Sequence, residues 1–318
     1  MSDVKQSVRV GVFGAGSLGQ HHVRVYAEMA QAELVGIFDA DSVRAAELAA
    51  QHHTRAFDSM EALAAEVDAA SVAVPTDLHR EVAGFLLEQK VHLLVEKPIA
   101  ATTSEAEQLV TLAQENDLIL QVGHIERFNP VLSFLEQHTA TPRFIEAHRL
   151  ASYPPPREGM LPRGTEVSVI LDLMIHDIEV LLHLVKSKVT GIHAVGIPVL
   201  SPSEDIANVR LQFENGCVAN ITASRISPER MRKIRVFFED AYVSLDYQDQ
   251  SGELYRKTAT GIEREAIPID KGDALTNELS SFVDCVRQHG EPVVSGEHAS
   301  EALRLAVQIT HQVREAAS

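Results

Sequence analysis

A lysine follows a short apolar run in the first third of the chain. The segment 93–98 reads Leu-Leu-Val-Glu-Lys-Pro, so Lys97 stands just beyond a run that predicts a buried strand. Strand ends in open α/β sheets face ligand sites, and an amine held there can assist proton transfer or stabilise an oxyanion. The alternative from local sequence is an ordinary surface lysine beside Glu96.

An aspartate and a histidine form the second candidate. Asp172 and His176 lie in the segment 167–185, whose apolar positions follow helical spacing. Residues four apart share one face of an α-helix, where the carboxylate can orient the imidazole as a general base. A helix-stabilising pair at the rim of the core is the alternative, and Glu179 with His183 makes a metal site conceivable. We predict no metal site, because no other acid and histidine cluster has ligand spacing.

Three glycines near the N terminus have the spacing of a nucleotide loop. The segment 14–19 reads Gly-Ala-Gly-Ser-Leu-Gly between a predicted strand and a predicted helix, so its amides can approach a pyrophosphate at the helix N terminus. The next histidines, His21 and His22, point to different faces of that helix, and we expect both to be solvated. The predicted pyrophosphate contacts are Gly14, Gly16, Ser17, Leu18 and Gly19.

Further cofactor contacts are predicted where the following strands end. Asp39 comes 20 residues after Gly19, at the end of the second predicted strand, where its carboxylate can accept hydrogen bonds from the adenosine ribose. A carboxylate there would repel a 2′-phosphate, so we expect NAD rather than NADP. Later strand ends place five candidate contacts at the same edge, namely Pro75, Thr76, His79, Glu96 and Lys97. For the first three, an ordinary strand-to-helix connection is the alternative.

Strands and helices must position these residues, and in the first part of the chain they alternate. Strands are predicted at 8–13, 34–38, 71–74, 92–95 and 118–122. Helices are predicted between them at 18–29, 42–50, 77–89 and 104–116. This alternation predicts a doubly wound parallel sheet of the Rossmann type, covered by helices on both faces.

The pattern changes after Gly123, so we predict two domains, 1–123 and 124–318. The second begins with a short helix and a strand, 129–137 and 144–150, and the long helix 167–185 follows. Strands are then predicted at 209–213, 218–223, 232–238 and 241–246, with a hairpin turn at 214–216, and helices at 276–288 and 298–313. We therefore expect an α+β domain with a mostly antiparallel sheet.

Composition excludes several classes of protein. A net charge of −17 argues against a nucleic-acid partner, since such partners demand a basic face. No apolar stretch approaches the roughly 20 residues that span a bilayer. Cys217 and Cys285 have no C-x-x-C spacing and follow no secretory segment. We therefore expect a cytoplasmic protein without disulfides that binds neither nucleic acid nor membrane and takes a small-molecule substrate.

In combination, these motifs resemble the Gfo/Idh/MocA family, the group of glucose-fructose oxidoreductase and inositol dehydrogenase. The resemblance runs from Gly11 to the final helix and rests on the order and approximate spacing of the motifs. These are the glycine loop, Asp39, the segments 74–76 and 96–98, and Asp172 with His176. The resemblance implies that Lys97, Asp172 and His176 correspond to the family's catalytic lysine, aspartate and histidine. It also implies a homodimer or homotetramer.

Two segments, 123–130 and 171–178, resemble the branch of that family that contains UDP-N-acetylglucosamine 3-dehydrogenases. Enzymes of that branch oxidise the sugar 3-hydroxyl to a ketone, which prepares it for transamination toward a diamino sugar of lipid A. Ile175 departs from many other family members, which have glycine there, and this departure favours the branch. The resemblance thus implies an NAD-dependent dehydrogenase of a nucleotide sugar.

The implied reaction removes a proton from a secondary alcohol while hydride passes to the nicotinamide. Our hypothesis is that His176 takes the proton, Asp172 orients His176, and Lys97 stabilises the developing oxyanion; Lys97 could instead be the base. Arginine suits the diphosphate of a nucleotide sugar. The candidate substrate contacts are Arg127, Asn129, Arg157, Arg163 and Arg225.

Two alternatives stay open. One is a dehydrogenase of another sugar, a nucleotide-sugar uronate or a cyclitol. The other is an NAD-binding regulator that senses redox state and catalyses nothing. Lys97, Asp172 and His176 argue against the regulator, because cofactor sensing needs none of them.

Overall fold

The computed structural model describes residues 7–137, 140–156, 162 and 164–317. The chain divides into two compact units, Met1–Phe128 with Asp273–Ser300, and Asn129–Gly272 with Glu301–Ser318. The sequence predicted contiguous domains, whereas the first unit includes a segment from near the C terminus. Apolar packing explains the difference, because Leu279, Phe282 and Val283 share one buried core with the valines of the first strand.

The first unit contains a parallel sheet, as the alternating pattern predicted, with six described strands where five were predicted. Its strands are β1 (Val8–Phe13), β2 (Ala32–Phe38), β3 (Arg55–Ala56), β4 (Ala69–Val72), β5 (His92–Glu96) and β6 (Leu120–Gly123). They are ordered β3-β2-β1-β4-β5-β6, so the winding direction reverses between β1 and β4. Ligands of open α/β sheets bind at such a reversal, beyond the carboxyl ends of the strands.

Apart from the short helix 60–64, which the sequence did not predict, the helices follow the predicted periodicity, with short irregular turns where some of them begin. They are α1 (Gly19–Glu28), α2 (Ser42–Gln51), α3 (Met60–Ala64), α4 (His79–Glu88), α5 (Thr103–Glu115), α6 (Leu132–Glu136), α7 (Ile175–Val185), α8 (Ala274–Gln288) and α9 (Gly296–Ala317). The side chain of Asp41 caps α2, and Thr102 with Glu105 forms a capping box on α5. A 3-10 turn, Thr76–Leu78, precedes α4, and a π-helical turn, Ile170–Met174, precedes α7.

The second unit contains an eight-stranded, mostly antiparallel sheet, as predicted. Its strands are β7 (Phe144–Leu150), β8 (Val189–Ile197), β9 (Ile206–Phe213), β10 (Val218–Ser224), β11 (Met231–Phe237), β12 (Ala241–Asp246), β13 (Ser251–Thr258) and β14 (Gly261–Ala266). They are ordered β14-β13-β12-β11-β7-β10-β9-β8, and only β7 and β10 pair in parallel. The predicted hairpin joins β9 to β10, with φ of +86° at Gly216. The sequence did not predict β8, β13 or β14.

Three findings bear on membranes, disulfides and metals. In the described part of the chain, no helix has the length and apolar character needed to cross a membrane. Cys217 and Cys285 are both buried, and neither forms a disulfide. No cluster of three or more His, Cys, Asp or Glu side chains among these residues could hold a metal ion. His183, considered above as a conceivable ligand, lies with its Nε2 3.3 Å from Oε1 of Glu136.

Candidate active site

The three glycines of the nucleotide loop have different surroundings. Gly14 has a φ of +106°, and a Cβ there would lie 2.5 Å from the carbonyl oxygen of Ala73. A Cβ on Gly19 would overlap the carbonyl oxygen of Gly14, so both positions require glycine for α1 to pack against the sheet. At Gly16 no described atom lies within 4 Å of where a Cβ would be. A pyrophosphate that approaches the loop closely needs such an open position.

Asp39 lies beside this loop, directly after β2. Its Oδ2 accepts the backbone N–H of Ala15 at 2.6 Å, and its Oδ1 accepts the N–H of Asp41 at 2.8 Å. Leu18 occupies the N-cap position of α1, and no described side chain caps that helix, whose N terminus favours a negative group. An open glycine, an uncapped helix N terminus and a carboxylate at the end of β2 fit a dinucleotide, with Ser17 and Leu18 in the connecting turn.

Lys97 follows β5 directly and is half-buried. The preceding residue, Glu96, turns its carboxylate into the core, where Oε1 accepts a hydrogen bond from Nε2 of His22 at 2.9 Å. Its Oε2 accepts the backbone N–H of Lys97 at 3.3 Å. Burial opposes ionisation of Glu96, but the bond from His22 and the charge of Lys97 outweigh burial and lower the pKa of this carboxyl. Glu96, predicted as a cofactor contact, thus directs its carboxylate to His22 and Lys97.

The prediction that His22 is solvated is wrong. His22 is only 1% exposed, and it lies in α1 on the same side as Val23 and Tyr26, which are also buried. The sequence could have indicated this, because His22 precedes the apolar residues Val23 and Tyr26 by one and four positions, which places it on the apolar face of the helix. Its neighbour His21 is exposed, as expected.

His79 joins two loops at the same edge of the sheet. Its Nδ1 lies 2.9 Å from the carbonyl oxygen of Pro98, and its Nε2 lies 3.0 Å from that of Val74. Burial lowers the pKa of this imidazole, and the two carbonyl oxygens oppose that effect. The ring therefore contacts backbone on both sides, which holds the turn at Pro75 and Thr76 beside the segment that follows Lys97.

His124 and Arg127 come after β6 at the same edge, and both are buried. Burial, followed by the positive charges of Lys97 and Arg127, lowers the pKa of His124 to about 3. The backbone N–H of Arg127 bonds the carbonyl oxygen of His124 at 2.9 Å. The sequence predicted Arg127 as a substrate contact but assigned no role to His124, although the position of His124 directly after a strand could have indicated one. A neutral histidine beside a lysine and an arginine leaves a positive environment suited to an anionic group.

Asp172 and His176 belong to the second unit, and the helix that contains them is not uniform. Asp172 lies in the π-helical turn Ile170–Met174, whereas His176 lies in the first turn of α7. The single α-helix predicted over 167–185 is therefore wrong at its start. Both side chains are half-buried. Turns of this type occur often at functional sites, since the wider turn changes which way a side chain points.

A glycine and a buried ion pair constrain this helix. Gly164 has a φ of +81°, and a Cβ there would overlap Oδ2 of Asp172. One residue beyond His176, Asp177 accepts two hydrogen bonds from Arg149 of β7, Nε to Oδ2 at 2.8 Å and Nη2 to Oδ1 at 3.0 Å. Both partners are at most 3% exposed. The paired geometry connects α7 to the sheet next to the candidate base.

The predicted substrate contacts do not share one environment. Arg225 is buried and donates to Oδ1 of Asp205, to the carbonyl oxygens of Gly164 and Val167, and to two serine hydroxyls. All five of its N–H groups thereby have partners within the protein, and a substrate contact at Arg225 stays a prediction from the sequence. Asn129 is also buried, and its Nδ2 donates to the carbonyl oxygen of Tyr247 at 3.2 Å. Arg157 and Arg163 lie outside the described residues.

Comparison with known proteins agrees with this geometry. Residues 8–124 match the model of an oxidoreductase family with an NAD-binding Rossmann fold, and residues 137–244 match the GFO/IDH/MocA C-terminal domain. The UDP-N-acetylglucosamine 3-dehydrogenase of Acidithiobacillus ferrooxidans is 38% identical, over 95% of this chain and 96% of that protein. Its solved structure superposes with a TM-score of 0.91 at 37% identity, covering 97% of this chain and 98% of that one.

More distant proteins match nearly the whole chain, one in sequence and one in fold. The scyllo-inositol 2-dehydrogenase (NAD(+)) of Bacillus subtilis is 24% identical over 98% of this chain and 95% of that protein. A levoglucosan dehydrogenase solved with NADH and levoglucosan superposes with a TM-score of 0.88 at 17% identity, covering 98% of each chain. With the open glycine loop and Asp39 on one sheet edge and these matches across both units, the chain belongs to the Gfo/Idh/MocA family of NAD-binding oxidoreductases.

Proposed function

We propose that this protein oxidises the 3-hydroxyl of UDP-N-acetylglucosamine to a ketone with NAD as the acceptor. The observation that carries the proposal is the 38% identity to the UDP-N-acetylglucosamine 3-dehydrogenase of A. ferrooxidans over 95% of the chain. A match of that extent includes both the nucleotide-binding unit and the unit with Asp172 and His176. The 3-keto sugar would then be a substrate for transamination toward a diamino sugar of lipid A, in the cytoplasm.

In this mechanism the chain contributes binding, proton transfer and charge stabilisation. NAD supplies the hydride acceptor, and the loop at Gly16 together with Asp39 would hold it. His176 accepts the hydroxyl proton while Asp172 orients its ring, and Lys97 stabilises the oxyanion that develops. Lys97 as the base is the alternative assignment within the same proposal.

The substrate's diphosphate needs a positive partner. Arg127 is our proposed contact, because it is buried beside His124 at the edge where Lys97 follows β5. His124 is neutral, so the positive charge around it comes from Lys97 and Arg127 and not from the imidazole. Arg157 and Arg163 stay predictions from the sequence. Asn129 is proposed to support this segment through its bond to Tyr247.

We also propose a homodimer or homotetramer built on one face of the second sheet. That face contains a ladder of four aromatic residues, with ring centroids 5.6 Å apart for Phe144 and Phe237, 4.9 Å for Phe237 and Tyr242, and 4.2 Å for Tyr242 and Tyr255. Aromatic side chains are enriched in interface cores. Analytical ultracentrifugation of Tyr242→Asp tests this: a monomer supports the proposal, and an unchanged assembly contradicts it.

The activity itself is tested by NADH formation from NAD and UDP-N-acetylglucosamine, with an aminotransferase and glutamate present to remove the ketone. Turnover by the wild type and its loss in Lys97→Met are the expected results. Near-normal turnover in both Lys97→Met and His176→Ala would contradict the assigned roles. Profiles of kcat/KM against pH for the two variants then show which of the two residues is the base.

The alternatives give different results in the same assay. Oxidation of a free sugar or cyclitol, with weak binding of UDP, would indicate a different dehydrogenase of the family. NAD binding without turnover of any polyol or nucleotide sugar would indicate the regulator. Of the two, the dehydrogenase of another alcohol has support in the 24% identity to scyllo-inositol 2-dehydrogenase across 98% of the chain.

A further inference from the structure

Four buried side chains of the first unit form a continuous row of hydrogen bonds, which ends at the residue before Lys97. Tyr26 and His22 come from α1, Ser71 comes from β4, and Glu96 ends β5. The hydroxyl of Tyr26 lies 2.9 Å from Oγ of Ser71, which lies 3.0 Å from Nδ1 of His22. Nε2 of His22 lies 2.9 Å from Oε1 of Glu96. The side chains of Tyr26, Ser71 and His22 are at most 1% exposed, so solvent does not satisfy their hydrogen-bonding groups.

The partners determine which atom donates in each bond. An ionised carboxylate only accepts, so the proton of His22 resides on Nε2 and Nδ1 accepts from Ser71. Ser71 then accepts from the hydroxyl of Tyr26, whose pKa burial raises, which keeps it a donor. Every group in the row is satisfied in one direction, and all donated protons point toward Glu96. Hydrogen bonds ordered in this way fix the position of the Glu96 carboxylate, the last group in the row.

Glu96 connects this row of hydrogen bonds to the backbone of Lys97. Its second oxygen accepts the backbone N–H of Lys97. Gly123, at the end of β6, leaves room for the carboxylate, since a Cβ there would lie 3.1 Å from Oε2. Against the effect of burial, the charges of His22, Lys97 and His79 lower the pKa of the Glu96 carboxyl, whereas burial and then the charge of Glu96 raise the pKa of Glu278 on α8.

We propose that His22 is a positioning residue for Lys97, acting through Glu96. By donating to Oε1, His22 holds a charged carboxylate against the backbone N–H of Lys97, near enough for the charge of Lys97 to act on it. Without His22, Oε1 of the buried carboxylate loses its donor and the carboxyl takes up a proton, so both the geometry and the charge beside Lys97 are lost. The inference rests on the proposed function, because the position of Lys97 affects turnover only if Lys97 is catalytic.

The exchange His22→Phe tests this, and His21→Phe is its matched control on the exposed face of the same helix. Two measurements are made on the full-length protein. One is kcat/KM for NAD-dependent oxidation across pH. The other is the rate at which acetic anhydride modifies Lys97, followed by mass spectrometry of its peptide, which needs no substrate. Amines react in their neutral form, and a nearby carboxylate favours the ammonium form.

In His22→Phe we expect kcat to fall about 10- to 100-fold, with the KM for NAD nearly unchanged, and Lys97 to be acetylated about 3- to 10-fold faster at a given pH. Glu96→Gln should reproduce both effects, and the double variant should add nothing further, because both residues act through one row of hydrogen bonds. His22→Gln retains an N–H donor near the position of Nε2 and should restore most of the activity. It also serves as the test variant if His22→Phe does not fold.

The inference is wrong if His22→Phe alters kcat and the labelling of Lys97 no more than His21→Phe does. It is also wrong if the effects of His22→Phe and Glu96→Gln are additive. Failure of the wild type to oxidise UDP-N-acetylglucosamine would instead overturn the proposed function. The labelling measurement separates the two failures, since it reports on Lys97 whatever the substrate is.

Discussion

The two units hold their candidate catalytic residues by different means. In the first, a series of hydrogen bonds from Ser71 and His22 reaches the backbone N–H of Lys97 through Glu96. In the second, the segment before Asp172 is held by Arg225, a buried cation paired with Asp205. Removing one partner of a buried ion pair costs about 3–5 kcal/mol, whereas a hydrogen bond contributes about 1 kcal/mol between neutral groups and about 1.5–3 kcal/mol when one group is charged. Damage to the second unit should therefore appear as unfolding, and damage to the first as lost activity in a folded protein.

The largest effect is expected for Arg225→Met. The two carboxylate oxygens of Asp205 accept five hydrogen bonds, one of them from Arg225. The change leaves the other four bonds in place but removes the cation that balances the charge of this buried carboxylate. We expect the free energy of unfolding to fall by about 3–5 kcal/mol, measured by urea denaturation. Arg210→Met, at an exposed arginine of β9, is the control and should change stability little. Equal losses in the two variants would remove the contrast between the units.

Acid should destabilise the first unit through His124. The pKa of this buried imidazole is lowered to about 3, from an ordinary value of 6.5. Above that ordinary value both the folded and unfolded forms are neutral, and His124 contributes nothing to the pH dependence. Below it, down to the lowered value, the unfolded chain binds a proton that the folded protein does not, so stability falls as pH falls, by up to about 1.4 kcal/mol per pH unit.

Urea denaturation of wild type and His124→Gln between neutral pH and pH 5 measures this contribution. The variant lacks the titrating group, so its stability should depend less steeply on pH over that range. Identical slopes would mean that His124 is protonated in the folded protein, and Lys97 would then share its surroundings with another cation.

Gly164→Ala should separate stability from activity in the second unit. The substitution places a Cβ at a φ of +81° and against the carboxylate of Asp172. Gly216→Ala is the matched control, because Gly216 has a φ of +86° and no described atom within 4 Å of the added Cβ. Both variants should lose about 1–2 kcal/mol of stability from backbone strain. Only Gly164→Ala should also lower kcat, and equal kcat values would show that the position of Asp172 does not matter to turnover.

The smallest effect is expected for Tyr26→Phe. The variant removes the first donor of the row of hydrogen bonds that ends at Glu96 and leaves the ring in the core. We expect a loss of about 1 kcal/mol in urea denaturation. A loss comparable to that of Arg225→Met would show that the two units do not differ in the way they support their sites.

Local sequence predicted much of the fold. The bounds of β1, β7 and β12 agree with the predicted strands residue for residue, because alternating or continuous apolar residues identify a strand without reference to distant parts of the chain. The strands β3, β8, β13 and β14 were missed. In β14 all six residues are exposed, so no apolar pattern existed to be found. The edge that carries Lys97 was predicted because strand ends in parallel sheets meet on one side.

Residue type and spacing alone predicted an NAD-binding Rossmann domain with a glycine loop after the first strand, Asp39 after the second strand, and Lys97 directly after a buried one. Only the tertiary structure decided that His22 is buried, that Arg225 supports a loop, and that α8 joins the first core. His22 and Glu96 are 74 residues apart, and Arg225 and Gly164 are 61 apart. A local pattern shows which face of an element is apolar. The partner of a buried polar group is supplied by a distant segment, and its identity depends on how the chain folds back on itself.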